Sequence, residues 1–148
     1  MKIALVTAGN LWFSPYVRIY TNYLDELSID YDIISWNRDG NDKKEGIQYM
    51  RKQELSANFI SKYFAFRKYA LFIMKTIEEN KYDKLIVFNP QIAIFITRLL
   101  KKYKGKYIFD YRDLSIEQYP IFKSKFKKVL SSSYVNFISS PGFEKALP

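Results

Sequence analysis

Two hydrophobic periodicities divide the chain. Short runs rich in Ile, Val, Leu, Phe and Tyr read as strands at Lys2–Thr7, Tyr31–Trp36, Ile47–Arg51, Lys84–Phe88, Lys106–Asp110 and Tyr134–Ile138. Between them, apolar residues recur every three or four positions, as they do on the buried face of a helix. Ser14-Pro15 supplies a cap and then a proline at the first helical position, and Val17, Tyr20, Leu24 and Leu27 follow at helical spacing. Asn58–Asn80 carries a broad apolar face from Phe59 to Ile77, and Ile116–Leu130 has the same character. Gln91–Lys102 ends in a lysine-rich turn that suits the negative end of a helix dipole. The polar run Asn37–Gly46 reads as a surface loop.

Strands that alternate with helices of ten or more residues imply βαβ units. Their crossovers are right-handed, so the predicted fold is α/β: a doubly wound, mostly parallel, Rossmann-like sheet with helices on both faces. No repeat and no Pro/Gly/Ser linker interrupts residues 1–148, which read as a single domain. In such sheets a ligand sits beyond the carboxyl ends of the strands. That directs attention to five segments: Thr7–Pro15, Asn37–Gly46, Asn89–Gln91, Asp110–Glu117 and Ser139–Phe143.

Composition narrows the chemistry those loops can perform. The 148 residues include no Cys and no His, which excludes disulfides, thiolate nucleophiles, Ser-His catalysis and the usual zinc ligand sets. No metal site and no cofactor is expected. The net charge of +9 is uneven: residues 1–56 sum to −1, 57–100 to +4 and 101–128 to +6. Basic excess alone does not choose among nucleic acid, an anionic membrane and phosphorylated ligands. Ile3–Val6 is too short for a signal-peptide core or a membrane span, and the chain reads as cytoplasmic.

The first loop, Thr7-Ala8-Gly9-Asn10, has a single glycine, so the G-x-G-x-x-G dinucleotide fingerprint and the P-loop are both missing. Gly9 still lets backbone N–H groups approach a phosphate or a sugar hydroxyl, although it equally suits a plain turn. The densest polar cluster is Asp110-Tyr111-Arg112-Asp113, with Glu117 just beyond. Its carboxylates can take sugar hydroxyls and its arginine can clamp a phosphate. The same charges also fit an internal ion pair in which Arg112 and Asp113 fix the loop, with Asp113 or Ser115 capping the next helix. Ser139-Ser140-Pro141-Gly142-Phe143 pairs hydroxyls with approachable backbone, and also fits a capped helix start.

Taken in order, the glycine loop, the strand before Asn89, the Phe-Asp-x-Arg-Asp motif at 109–113, and Ser140-x-Gly142-Phe143 with Leu147-Pro148 beyond resemble the N-terminal half of GT-B glycosyltransferases of the family 4 type. Those enzymes build bacterial capsule, O-antigen and other surface polysaccharides. The resemblance implies an acceptor-binding domain. Gly9 and Asn10 would face the cleft, Asp110, Arg112 and Asp113 would form its acidic acceptor side, and Ser140 and Gly142 would precede the interdomain helix. Many members place a His after the fourth strand. Here Asn89-Pro90-Gln91 occupies that stretch, so Asn89 or Gln91 would take over its contacts. The resemblance further implies a missing C-terminal half that binds the nucleotide sugar, an acceptor that is a saccharide or lipid-linked, and no activity in this half alone.

Lys123, Lys125, Lys127 and Lys128 alternate with Ile121, Phe122, Phe126 and Val129. This basic amphipathic pattern suits peripheral contact with an anionic membrane at the inner face of the cell, and equally a packed helix with a solvated lysine face. Two other classes compete with the glycosyltransferase reading. One is a self-contained flavodoxin-like or other Rossmann-like ligand-binding or signalling domain without glycosyl transfer. The other, a nucleic-acid binder, is disfavoured because the aromatics fall at core periods and no RNP or KH loop is present, so no nucleic-acid partner is expected.

Overall fold

The computed structural model describes residues 1–40, 45–54 and 56–147. Positions 41–44 of the Asn37–Gly46 loop, and Pro148 of the Leu147-Pro148 pair, lie outside the described residues. The strands are β1 (Lys2–Val6), β2 (Asp30–Asn37), β3 (Ile47–Met50), β4 (Lys84–Phe88), β5 (Tyr107–Tyr111) and β6 (Val135–Ile138). The helices are α1 (Val17–Glu26), α2 (Phe59–Asn80), α3 (Pro90–Phe95), α4 (Thr97–Lys102) and α5 (Pro120–Ser132). Single 3-10 segments occupy Leu11–Phe13, Ile116–Gln118 and Pro141–Ala146.

All five strand pairings are parallel, in the order β3-β2-β1-β4-β5-β6. Val6 at the end of β1 pairs with Ile34 on one side and Val87 on the other. The chain thus runs outward from β1 through β2 to β3, then returns to lay β4 on β1's free side. This is the Rossmann-like, doubly wound α/β arrangement. Connections leave β1 and β4 in opposite directions, which opens a crevice at their carboxyl ends. The order differs from the 2-1-3-4-5 of flavodoxin-like sheets.

Burial follows the alternation of side chains along each strand. One face of the sheet, with Ala4, Val6, Ile34, Trp36, Val87 and Phe109, packs under α2, α3, α4 and α5. The other face, with Ile3, Leu5, Ile33, Ile86 and Phe88, packs under α1 through buried Val17 and Leu24 and partly buried Tyr20, with Leu11 and Tyr16 alongside. The α2 helix sits over the centre because Ala65, Tyr69, Ile73 and Ile77 fall on one stripe. Asn58 caps it by accepting from Ser61 N at 2.8 Å, and Lys81 ends it in the left-handed region at φ 52°.

Three helices depart from the sequence reading. Ser14 does not cap α1. Its hydroxyl pairs with Thr7 Oγ1 at 3.1 Å, and the helix begins at Val17. The segment Gln91–Lys102 is two helices rather than one, broken at Ile96 (φ −99°, ψ 19°), where Thr97 Oγ1 donates to the Ile94 carbonyl at 2.7 Å. The expected helix from Ile116 starts instead at Pro120, preceded by a 3-10 turn, because a proline at the first helical position disfavours a helical residue before it.

Candidate functional site

Above the carboxyl ends of β1 and β4 lies a cleft of about 610 Å3, within the range of small-molecule sites. Its two walls differ in chemistry. Phe59, Tyr63 and Phe66 of α2, Phe95 of α3 and Phe122 of α5 form an aromatic wall. Phe66 and Phe95 stack with centroids 5.8 Å apart, and Tyr63 meets Phe95 at 5.3 Å. The rest of the lining is mostly polar: Asn10, Arg38, Asp39, Asn89, Asp113 and Ser115 come from loops, and Gln91 from the first turn of α3.

Asn10 ties the first two loops together. Its Nδ2 donates to Asp39 Oδ1 at 2.7 Å, and its Oδ1 accepts from Arg38 N at 3.2 Å. Gly9 lies beside the Arg38 guanidinium: a Cβ placed on it would meet that group no closer than 3.8 Å, an ordinary contact. Glycine is therefore not demanded by sterics there, and its effect is to leave open space beside the cation.

Arg38 was not singled out by sequence reasoning, yet it is the most unusual group in the cleft. Its guanidinium lies over the Trp36 ring at 4.4 Å and the Phe66 ring at 5.2 Å. One terminal nitrogen donates to the Ala8 carbonyl, while Nε is buried with no hydrogen-bond partner. No carboxylate pairs with it among the described residues. Burial pushes its pKa down from the usual arginine value, with Tyr69 opposing, but arginine stays charged. The sequence signal was present: Arg38 follows an apolar strand directly, as Arg112 does.

Asn89 ends β4 at the reversal point. Tyr16 Oη donates to its Oδ1 at 3.1 Å, and its Nδ2 reaches Asp113 Oδ2 at 3.5 Å. Gln91, two residues on in α3, has its Oε1 buried with no partner among the described residues. Gly9, Asn10, Asn89, Gln91 and Asp113 are thus brought together around one cleft, as their positions after β1, β4 and β5 imply.

The other candidates do not line it. Asp110 has no exposed surface, and both its oxygens are engaged by Arg112 Nε and Nη2 at 2.8 Å each, with Tyr20 Oη at 2.7 Å from Oδ2. The internal ion pair is therefore Arg112 with Asp110, not with Asp113. Burial and the carboxylate hold the Tyr20 phenol well above its usual pKa, and the Asp110 hydrogen bond raises that of Arg112. This group acts from behind the cleft, because Arg112 also lies 5.1 Å from the ring of Tyr16, which holds Asn89. Glu117 turns inward, where its Oε1 accepts from Tyr111 Oη at 2.8 Å and Ser115 N at 2.7 Å. Ser140 and Gly142 follow β6 at the edge of the sheet, two strands from β4, and Ser140 makes no side-chain cap.

Lys123, Lys125, Lys127 and Lys128 are all exposed on α5. Phe122, Phe126 and Val129, the apolar half of the amphipathic pattern, are buried against the sheet, leaving only Ile121 exposed. The helix presents charge to its surroundings but no apolar face. Among the described residues, no helix is long and apolar enough to cross a membrane, and no cluster of three or more carboxylates is arranged to hold a metal ion. No family model matches the chain, and no curated protein matches it significantly.

Proposed function

We propose that this chain is the acceptor-binding N-terminal domain of a GT-B glycosyltransferase of the family 4 type, which transfers a sugar from a nucleotide-sugar donor to a saccharide or lipid-linked acceptor. The observation that carries this reading is the pairing of walls in the cleft. Aromatic faces pack against the C–H faces of a sugar ring, while amides and carboxylates such as Asn89, Gln91 and Asp113 exchange hydrogen bonds with its hydroxyls. The strand reversal beneath the cleft supports a ligand at this place. The motif order from Gly9 to Gly142 supports the family. Asp110, Arg112 and Glu117 then have a positioning role, fixing the loops from below.

In this account a second, C-terminal half binds the nucleotide sugar, and transfer takes place between the halves. Alone, this domain binds acceptor and transfers nothing. Its lysine-rich α5 gives a peripheral electrostatic contact with the anionic inner face of the cell membrane, where a lipid-linked acceptor would be met.

Calorimetric titration of the chain tests the reading. Glucose, galactose, mannose and N-acetylglucosamine serve as saccharide probes, and UDP-glucose and GDP-mannose as donor probes. At least one saccharide is expected to bind weakly, with little or no heat from either nucleotide sugar. Tight nucleotide-sugar binding, with none for the saccharides, would instead identify a self-contained nucleotide-binding domain.

A further inference from the structure

A buried cation without a counter-ion is costly unless something completes it. Arg38 is half-buried, and among the described residues no carboxylate pairs with it. Among the described residues its Nε–H meets no acceptor, one terminal nitrogen donates to the Ala8 carbonyl, and the guanidinium lies over the rings of Trp36 and Phe66. The cost is borne at the wall of an open cleft, beside the bare backbone of Gly9. Lys62 lines the same cleft and makes no ion pair among the described residues.

From these observations we infer that the cleft recognises a saccharide carrying an oxyanion, either the carboxylate of a sugar acid or a phosphate ester, and that Arg38 is the residue that reads it. The inference rests on the saccharide reading above and adds the charge of the ligand. With one terminal nitrogen held by Ala8, the guanidinium keeps a further terminal nitrogen to give a charge-assisted hydrogen bond to a carboxylate or phosphate oxygen. Lys62 adds charge without direction. Asp113 in the same wall remains suited to hydroxyls rather than to the anion, so the ligand meets the two walls and the two signs of charge at once.

The test compares glucose, glucuronate, glucose 1-phosphate and inorganic phosphate on the unmutated protein and on the Arg38→Gln and Arg38→Lys variants, followed by calorimetry. Charge-assisted hydrogen bonds from a held guanidinium correspond to about tenfold in affinity or more. At least one of glucuronate and glucose 1-phosphate should therefore bind about tenfold more tightly than glucose. That advantage over glucose should vanish in Arg38→Gln and fall in Arg38→Lys. Which of the two is preferred separates the carboxylate source from the phosphate source.

Equal binding of all three sugars, or a preference that survives Arg38→Gln, would overturn the inference and leave the acceptor reading standing. Arg38-dependent binding of inorganic phosphate without any sugar would overturn the saccharide reading while keeping the anion site. Binding of none of the four would overturn the inference, and the acceptor reading would then rest on galactose, mannose and N-acetylglucosamine. The comparison on the unmutated protein stands even if a variant fails to fold.

Discussion

Asn89 takes φ 71° and ψ 133°, a region that glycine enters freely and other residues enter at a cost of about 1–3 kcal/mol. It does so at the point where the sheet reverses direction, with its amide held between Tyr16 and Asp113. The strain and the hydrogen bonds can be separated by two substitutions. Asn89→Ala and Asn89→Gly both lose the amide, but only the glycine relieves the backbone. In urea unfolding the alanine variant should be less stable than the glycine variant by about 1–2 kcal/mol, since glycine's unfolded-state entropy offsets part of the relief. Both should lose saccharide affinity. Equal stabilities would show that the conformation is not strained. The position of Asn89 after β4 was legible in the sequence, but its strain was not, because no residue type announces positive φ as glycine does. Arg38 illustrates the opposite failure. The strand-end rule that drew attention to Arg112 applied equally to Arg38, and the richer cluster of charges at 110–113 obscured it. That cluster proved to be largely self-satisfied: Asp110 and Arg112 complete one another, whereas no carboxylate among the described residues pairs with Arg38.

At the level of elements, strands were read almost to the residue, because buried parallel strands are short apolar runs with sharp polar ends. Helix starts were read less well. Ser14, Ile96 and Ile116 each sit where a side-chain hydrogen bond or a nearby proline outweighs the apolar period. The α5 helix shows how periodicity can mislead about function. A stripe of Phe122, Phe126 and Val129 opposite lysines fits both a membrane-surface helix and a core helix, and here the stripe is buried. Any membrane attraction must therefore be electrostatic, about 1 kcal/mol per lysine near an anionic surface, and sensitive to salt. Co-sedimentation with phosphatidylserine-containing vesicles should fall more than tenfold on replacing Lys125, Lys127 and Lys128 by Glu, and should fall for the unmutated protein as salt rises. Unchanged binding in either comparison would remove the membrane contact from the account.

For the whole molecule, the sheet order does most to place the site. The sequence alone indicated alternation and parallel pairing, but alternation does not say on which side of β1 the chain returns. That depends on long-range packing of α2 over β1, β2 and β4, a contact set far apart in the chain. Once β4 lies beside β1, the loops after both strands face a common space, α2 and α3 supply its aromatic wall, and residues after β6 are excluded by distance along the sheet. The central claim is that this space receives a saccharide. The most direct measurement is an NMR titration of the 15N-labelled protein with glucose, galactose, mannose and N-acetylglucosamine in turn. Saturable shifts centred on the amides of Gly9, Asn10, Arg38, Asn89 and Gln91, with Ser140, Gly142 and the α5 lysines unmoved, are the predicted result. Shifts centred away from the cleft, or none with any of the four sugars, would contradict it.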